Sequence, residues 1–180
     1  MRYPMGMLKS ISAFVFPLFL LVSCGKNDVP QVTTETGVDL ESFFTPTAPA
    51  DAAAIHVARD TAAPGAEITL KGRVMGRSNP FVDGRAAFVL GDDSLLTPCN
   101  EKPDDGCPTP WDVCCDSAEN KRKGTATIQI LGDDGRVVSQ SLRGVRDLVE
   151  LSTITVQGTV AEGSSEDALI VNATAIHLHP

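Results

Sequence analysis

Two stretches of this chain alternate along their length around a central glycine, and that pattern narrows the fold more than any other feature of the sequence. In "AEITLKGRVMG", Ile68, Leu70, Gly72 and Val74 fall on one face and Thr69, Lys71 and Arg73 on the other. In "STITVQGTV", Ile154, Val156, Gly158 and Val160 oppose Thr153, Thr155, Gln157 and Thr159. A period of two marks a half-buried strand. A glycine inside such a strand marks a tight bend or a close backbone approach.

Three further strands are legible. "RAAFVLGD" predicts one over residues 86–90, and "TATIQILG" another with Ala126, Ile128 and Ile130 inward. Asp134-Gly135 follows as a turn. "DALIVNATAIHLH" closes the series, and its ambiguous phase predicts a bulge near Asn172 to Thr174. Between Leu142 and Leu151 the period changes, with Leu142, Val145, Leu148 and Val149 on one stripe, which predicts a short amphipathic helix. A lead-in helix over Ala54, Ile55, Val57 and Ala58 is stopped by "APG" at residues 63–65. The order strand, strand, strand, helix, strand, strand is that of a mainly β chain forming a five-stranded OB-fold-like barrel, with one helix between strands three and four.

The N-terminus has a different character. Basic Arg2 and Lys9 precede an apolar run from Ile11 to Val22 and then Ser23, the layout of a secretory signal over residues 1–23. A run of roughly 12 residues is too short for a spanning helix, which needs about 20. Leu21, Val22, Ser23 and Cys24 resemble the lipobox of bacterial lipoproteins. That resemblance implies that Cys24 is lipidated and becomes the new N-terminus, anchoring the protein at the cell envelope. Gly25 in place of an aspartate implies an outer-membrane destination where two membranes are present. More than one acyl chain is needed for stable anchoring.

Residues 24–50 are rich in Thr, Pro, Val and acids without period and read as a tether, spanning about 28 Å as a flexible coil. Phe43 and Phe44 within it are expected to dock on the domain. Residues 51–180 then form a single domain.

The stretches "AIHVARDTAAPGAEITLKGRVMG" and "ITVQGTVAEGSSEDALIVNATAIHL" resemble the anticodon-binding-like OB domains of secreted bacterial proteins. "NPFVDGRAAFVLGDDS" with "DGCPTPWDVCC" is similar to bacterial lipoproteins that carry such a domain. The resemblance covers roughly residue 51 onward and implies a fold without a function, since OB-folds serve many ligands.

Charge removes one class of partner. The chain carries a net charge of −8, and about −10 once the leading segment is gone. An acidic surface lacks the counterion-release term that drives nucleic-acid binding. Base stacking also asks for several outward aromatics, and the chain has one Trp, one Tyr and seven Phe, with the Tyr in the leading segment. Single-stranded nucleic acid is therefore disfavoured. An OB-fold ligand surface would involve Arg77, Phe81 and Arg85 in the first inter-strand loop, together with Trp111, which is also expected to pack across the cysteine bridges or onto the barrel. Phe81 also reads as a loop anchor.

An insertion over residues 91–124, between the second and third strands, contains Cys99, Cys107, Cys114 and Cys115. A loop of this length needs something to order it. In an exported protein an even set of thiols reads as two disulfides. A bond between adjacent Cys114 and Cys115 is strained, so Cys99 and Cys107 each pair with one of them, in an order that spacing leaves open. The rival reading is a copper or zinc site on the four cysteines, with His177 and His179 on one strand face and Asp112 as an extra oxygen ligand. Cysteine gaps of seven, six and none fit zinc poorly and copper(I) better. Asp92, Asp93, Asp104 and Asp105 lack the ligand ladder of a calcium loop and read as solvated turn acids. His56 stands too isolated to interpret. No nucleophile elbow, phosphate loop or zinc-protease motif occurs, so no catalytic residue and no cofactor is assigned. The expectation is a lipid-anchored, non-enzymatic module that binds a protein, glycan or small ligand.

Overall fold

Alternation in sequence becomes alternation in burial. The computed structural model describes residues 37–103 and 106–180, within one compact unit, Thr36–Pro180. The expected signal segment, Cys24, the expected tether up to residue 36 and the acids Asp104 and Asp105 lie outside the described residues. Among the described residues there are six strands: β1 (Ala53–Ala54), β2 (Glu67–Val74), β3 (Ala87–Gly91), β4 (Thr125–Gln129), β5 (Thr153–Val160) and β6 (Leu169–Leu178). Two short α-helices accompany them, α1 (Ile55–Arg59) and α2 (Ala118–Gly124).

Five strands close a barrel. β2 pairs antiparallel with β3, β3 with β4, β6 with β5, and β5 back with β2, while β4 and β6 run parallel. β1 adds a short parallel edge to β2. Closure removes exposed sheet edges, and the barrel is consistent with the OB-fold. Leu70, Val74, Phe88, Leu90, Ile128, Ile154, Val156 and Ile176 fill the interior. Each such side chain contributes roughly 1.5–3 kcal/mol on burial.

The strand-centre glycines are where backbones meet. A Cβ at Gly158 would press on the Asn172 carbonyl oxygen of β6, and one at Gly72 on the Gly91 carbonyl oxygen of β3. The β5–β6 register runs Gln157↔Ala175 and then Gly158↔Ala173, so Thr174 is an extra residue on β6. That bulge explains the ambiguous phase: Leu169, Val171 and Ala173 are buried before it and Ile176 after it.

Three expectations need correction. The stretch 142–151 is not an α-helix but loop around a single 3-10 turn, Val145–Asp147. Left-handed φ at Gly144, Arg146, Asp147 and Leu151 breaks any helical run. Leu142 and Leu148 still reach the core while Val149 is exposed, because alternating turns satisfy the same sparse apolar spacing that suggested a helix. The longer helix, α2, lies instead in the insertion, where the Ser117 side chain accepts from Asn120 N at 3.0 Å.

The tether boundary also moves. A 3-10 turn, Leu40–Phe43, buries Leu40 and packs Phe43 and Phe44 on the core. Phe44 bridges to Ile176, and Thr45 N donates to the Ile176 carbonyl at 2.8 Å. The segment lays itself beside β6 because its three large apolar residues gain burial there, without needing a regular period.

The third correction concerns acids. Asp92 is 1 % exposed; its role is described below.

Candidate functional site

The insertion is built on β3, and its first act is to cover that strand. All five residues of β3 are buried, so both of its faces are covered. Met75 lies against Gly91 and forms a small second core with Leu96 and Val113, onto which Trp111 and Leu151 pack. Trp111 Nε1 donates to the Ser78 carbonyl at 2.9 Å, and Gly76 N donates to the Trp111 carbonyl at 3.1 Å. The loop after β2 and the insertion are thereby sewn together.

This arrangement redistributes the four residues read as a ligand surface. Phe81 is 3 % exposed, bridges to Phe88 with ring centroids 5.9 Å apart, and belongs to the core. It is an anchor and not a ligand contact. Trp111 spends its indole on the second core and its N–H on Ser78. Arg77 and Arg85 remain exposed, Arg85 reaching the Val137 carbonyl at 3.4 Å.

Asp92 starts the insertion and fastens it to α1. Its carboxylate accepts from His56 N at 2.9 Å, lies 2.7 Å from His56 Nδ1, and accepts from Ser94 N at 2.9 Å and Ser94 Oγ at 2.5 Å. α1 has no side-chain cap of its own at Ala54. Asp92 supplies one from 36 residues away. Burial, the largest single influence, pushes its carboxyl up, yet the hydrogen bonds from His56 and Ser94 together hold it below the ordinary value. Asp93 next to it goes the other way, raised chiefly by burial despite Arg73 Nε at 3.1 Å.

The cysteines converge. Cys99 Sγ and Cys114 Sγ are 3.6 Å apart, and Cys114 Sγ is 3.8 Å from Cys115 Sγ. The sulfurs of Cys99, Cys107 and Cys114 all lie within 4.8 Å of one another. Backbone ties set this up: Cys99 N donates to the Asp112 carbonyl at 2.8 Å and Asn100 N to the Pro110 carbonyl at 2.9 Å. The pairing folds 98–102 back along 109–113, so the two cysteine-bearing ends face each other. Asp112 itself turns its carboxylate to Val113 N at 2.7 Å.

Hydrogen bonding with Thr109, first through its hydroxyl at 3.3 Å and then its backbone, holds the Cys107 thiol below its ordinary value. Lys102 bonds Asp116 at 3.0 Å. Burial opposes its charge, but the Asp116 bond and the fields of Cys115 and Cys99 raise its pKa.

The histidine pair does not join this group. Among the described residues the cluster of three candidate ligands contains cysteines alone. His177 and His179 do share a strand face, their rings 4.8 Å apart and edge to face. Each is occupied locally, His177 Nδ1 at 2.9 Å from the Thr45 carbonyl and His179 Nε2 at 2.9 Å from Thr155 Oγ1. Burial foremost, then Lys71 and His177, holds His179 below the ordinary histidine value.

Sequence reasoning missed Asp92 and His56. No short-range motif links residues 36 apart, and the only signal was the absent N-cap before Ile55. No protein-family model matches the chain, and no match is found among curated proteins or solved structures.

Proposed function

We propose that this chain is a lipid-anchored binding or assembly module of the cell envelope, an OB-fold whose cysteine insertion is stapled by two disulfides and which acts by contact and carries out no reaction. The observation that carries the reading is the approach of the thiols across an insertion folded over the barrel. The strand order supports the OB-fold, since the five barrel strands pair in sequence order except that the last lies between the third and the fourth. The anchor rests on Leu21 to Cys24.

The sulfur contact between Cys99 and Cys114 suggests one connectivity. Pairing Cys99 with Cys114, whose sulfurs are 3.6 Å apart, leaves Cys107 for Cys115. Each bond forms by thiol–disulfide exchange with an oxidising partner disulfide, which accepts the two electrons while two protons leave. Closing the loop from Cys99 to Cys114 contributes about 3 kcal/mol by the chain-entropy relation.

A second reading is a soft-metal site, favoured by the same three clustered sulfurs. Cys99, Cys107 and Cys114 would hold copper(I), for which thiolates are suited donors. Intact mass before and after alkylation without reduction separates the two. A mature chain short by four hydrogens with no thiol labelled supports the staple, and peptide mapping then reads the pairs. Labelled thiols, or a native mass raised by one metal ion, overturn it. A diacylglyceryl mass on the Cys24 peptide tests the anchor.

A further inference from the structure

On the side of the barrel where α1 meets α2, Arg59, Arg122 and Lys123 line a cavity of about 430 Å³ closed by Ser164, Ser165 and Glu166 of the β5–β6 loop. Its polar floor is unusual. Arg59 Nη1 and Arg122 Nη1 both donate to one acceptor, the Glu166 carbonyl, at 3.2 Å each. Two guanidinium groups are thus held side by side on a neutral oxygen. Arg59 Nη2 donates to the Thr125 carbonyl at 2.7 Å, again neutral, and its Nε is buried with no partner.

The acids nearby hold this pair only loosely. Asp167 stands 3.9 Å from Arg122 Nε with its side chain 86 % exposed, and such a pair is worth little in water. Glu119 is taken by Lys123 at 2.8 Å. Asp60 and the Glu166 side chain line the cavity, and neither forms an ion pair with the arginines. Burial first, then repulsion from Arg122, lowers the Arg59 pKa, and attraction by Asp167 is the smallest of the three influences. The lining thus sets three cations, Arg59, Arg122 and Lys123, against the carboxylates of Asp60 and Glu166, with both guanidinium groups spent on neutral carbonyls.

We propose that this cavity is an oxyanion site, taking the phosphate or carboxylate group of a small ligand against Arg59 and Arg122, with Lys123 beside it. Planar guanidinium forks match such groups and form charge-assisted hydrogen bonds with them. The remaining volume admits a small organic body. The inference rests on the reading of a non-catalytic binding module and gives that module a ligand class. It does not depend on the state of the cysteines.

The test is calorimetric titration of the full chain in detergent with inorganic phosphate, and separately with acetate, at low and at high chloride. Saturable one-to-one binding of either anion, weakened by chloride, is expected. Arg122→Gln should weaken it about tenfold, the scale of one lost charge-assisted hydrogen bond, with the melting temperature unchanged. Arg122→Lys should retain part of the affinity, and Arg136→Gln, an equal charge change at an exposed site, should retain all of it. Failure of both anions to saturate, or equal binding by wild type and Arg122→Gln, overturns the site. The mass measurement on the cysteines stands in either case, so the two failures are distinguishable.

Discussion

The barrel and its insertion solve the same problem, ordering a chain, by different means. In the barrel, five strands exchange backbone hydrogen bonds around an interior of large aliphatic side chains and Phe88. In the insertion, the second core holds three fully buried residues, Met75, Leu96 and Val113. So small a core cannot offset the conformational entropy of thirty-odd ordered residues, at 1–2 kcal/mol each for the backbone. The insertion therefore leans on polar ties at its start, on Trp111 across its middle and, as proposed, on bonds among its cysteines. Order that hydrophobic burial cannot supply has to come from specific bonds, and specific bonds can be removed singly.

The contrast can be broken from either side. The largest effect is expected at the barrel seam: Gly158→Ala drives a methyl into the Asn172 carbonyl, and should cost about 3 kcal/mol or more in denaturant unfolding. Every spectroscopic probe should report that loss together. Cys99→Ser comes next, removing the proposed staple, with an expected loss of about 3 kcal/mol. Here the signature is local. Amide exchange should rise across 93–117 while β2, β5 and β6 stay protected, and a uniform rise would contradict a separately ordered insertion.

Asp92→Ala tests the joint between the two regions. It leaves His56 N, Ser94 N and their side-chain donors without an acceptor, and should cost about 2 kcal/mol. The same group sets an acid limit. Its folded pKa lies below its unfolded value, so its contribution is present above about pH 4 and fades as pH falls through the folded pKa. The wild type should lose stability in that window, and Asp92→Asn should lose less. The smallest effect is expected from Trp111→Phe, which keeps the packing and gives up the bond to Ser78. About 1 kcal/mol is expected by thermal unfolding, and a larger loss would show that the indole does more than close the loop.

How legible these features were depends on the range of the interaction that makes them. The inward faces of β2, β4 and β5 were readable because a strand repeats every two residues. The Thr174 bulge was readable too, as a change of phase. The 142–151 segment misled because four apolar residues over one or two turns fit a helix and a series of left-handed turns equally well. Phe81 was legible as a loop anchor, and the cysteines were legible as a group that meets, but which sulfur faces which was not. Asp92 read as a solvated turn acid because nothing near it in sequence announces a buried partner.

The sequence by itself determined the strand positions, the glycines at which backbones cross and the acidic surface, since local period, missing Cβ atoms and formal charge are properties of neighbouring residues. Only the tertiary structure decided that Asp92 caps α1, that Cys99 meets Cys114 while the histidines stay apart, and that Arg59 and Arg122 share one carbonyl. Each of those meetings joins residues brought together by barrel closure or by loops folding back. The cost of closing a loop grows only slowly with its length, so sequence distance says little about which distant groups will meet.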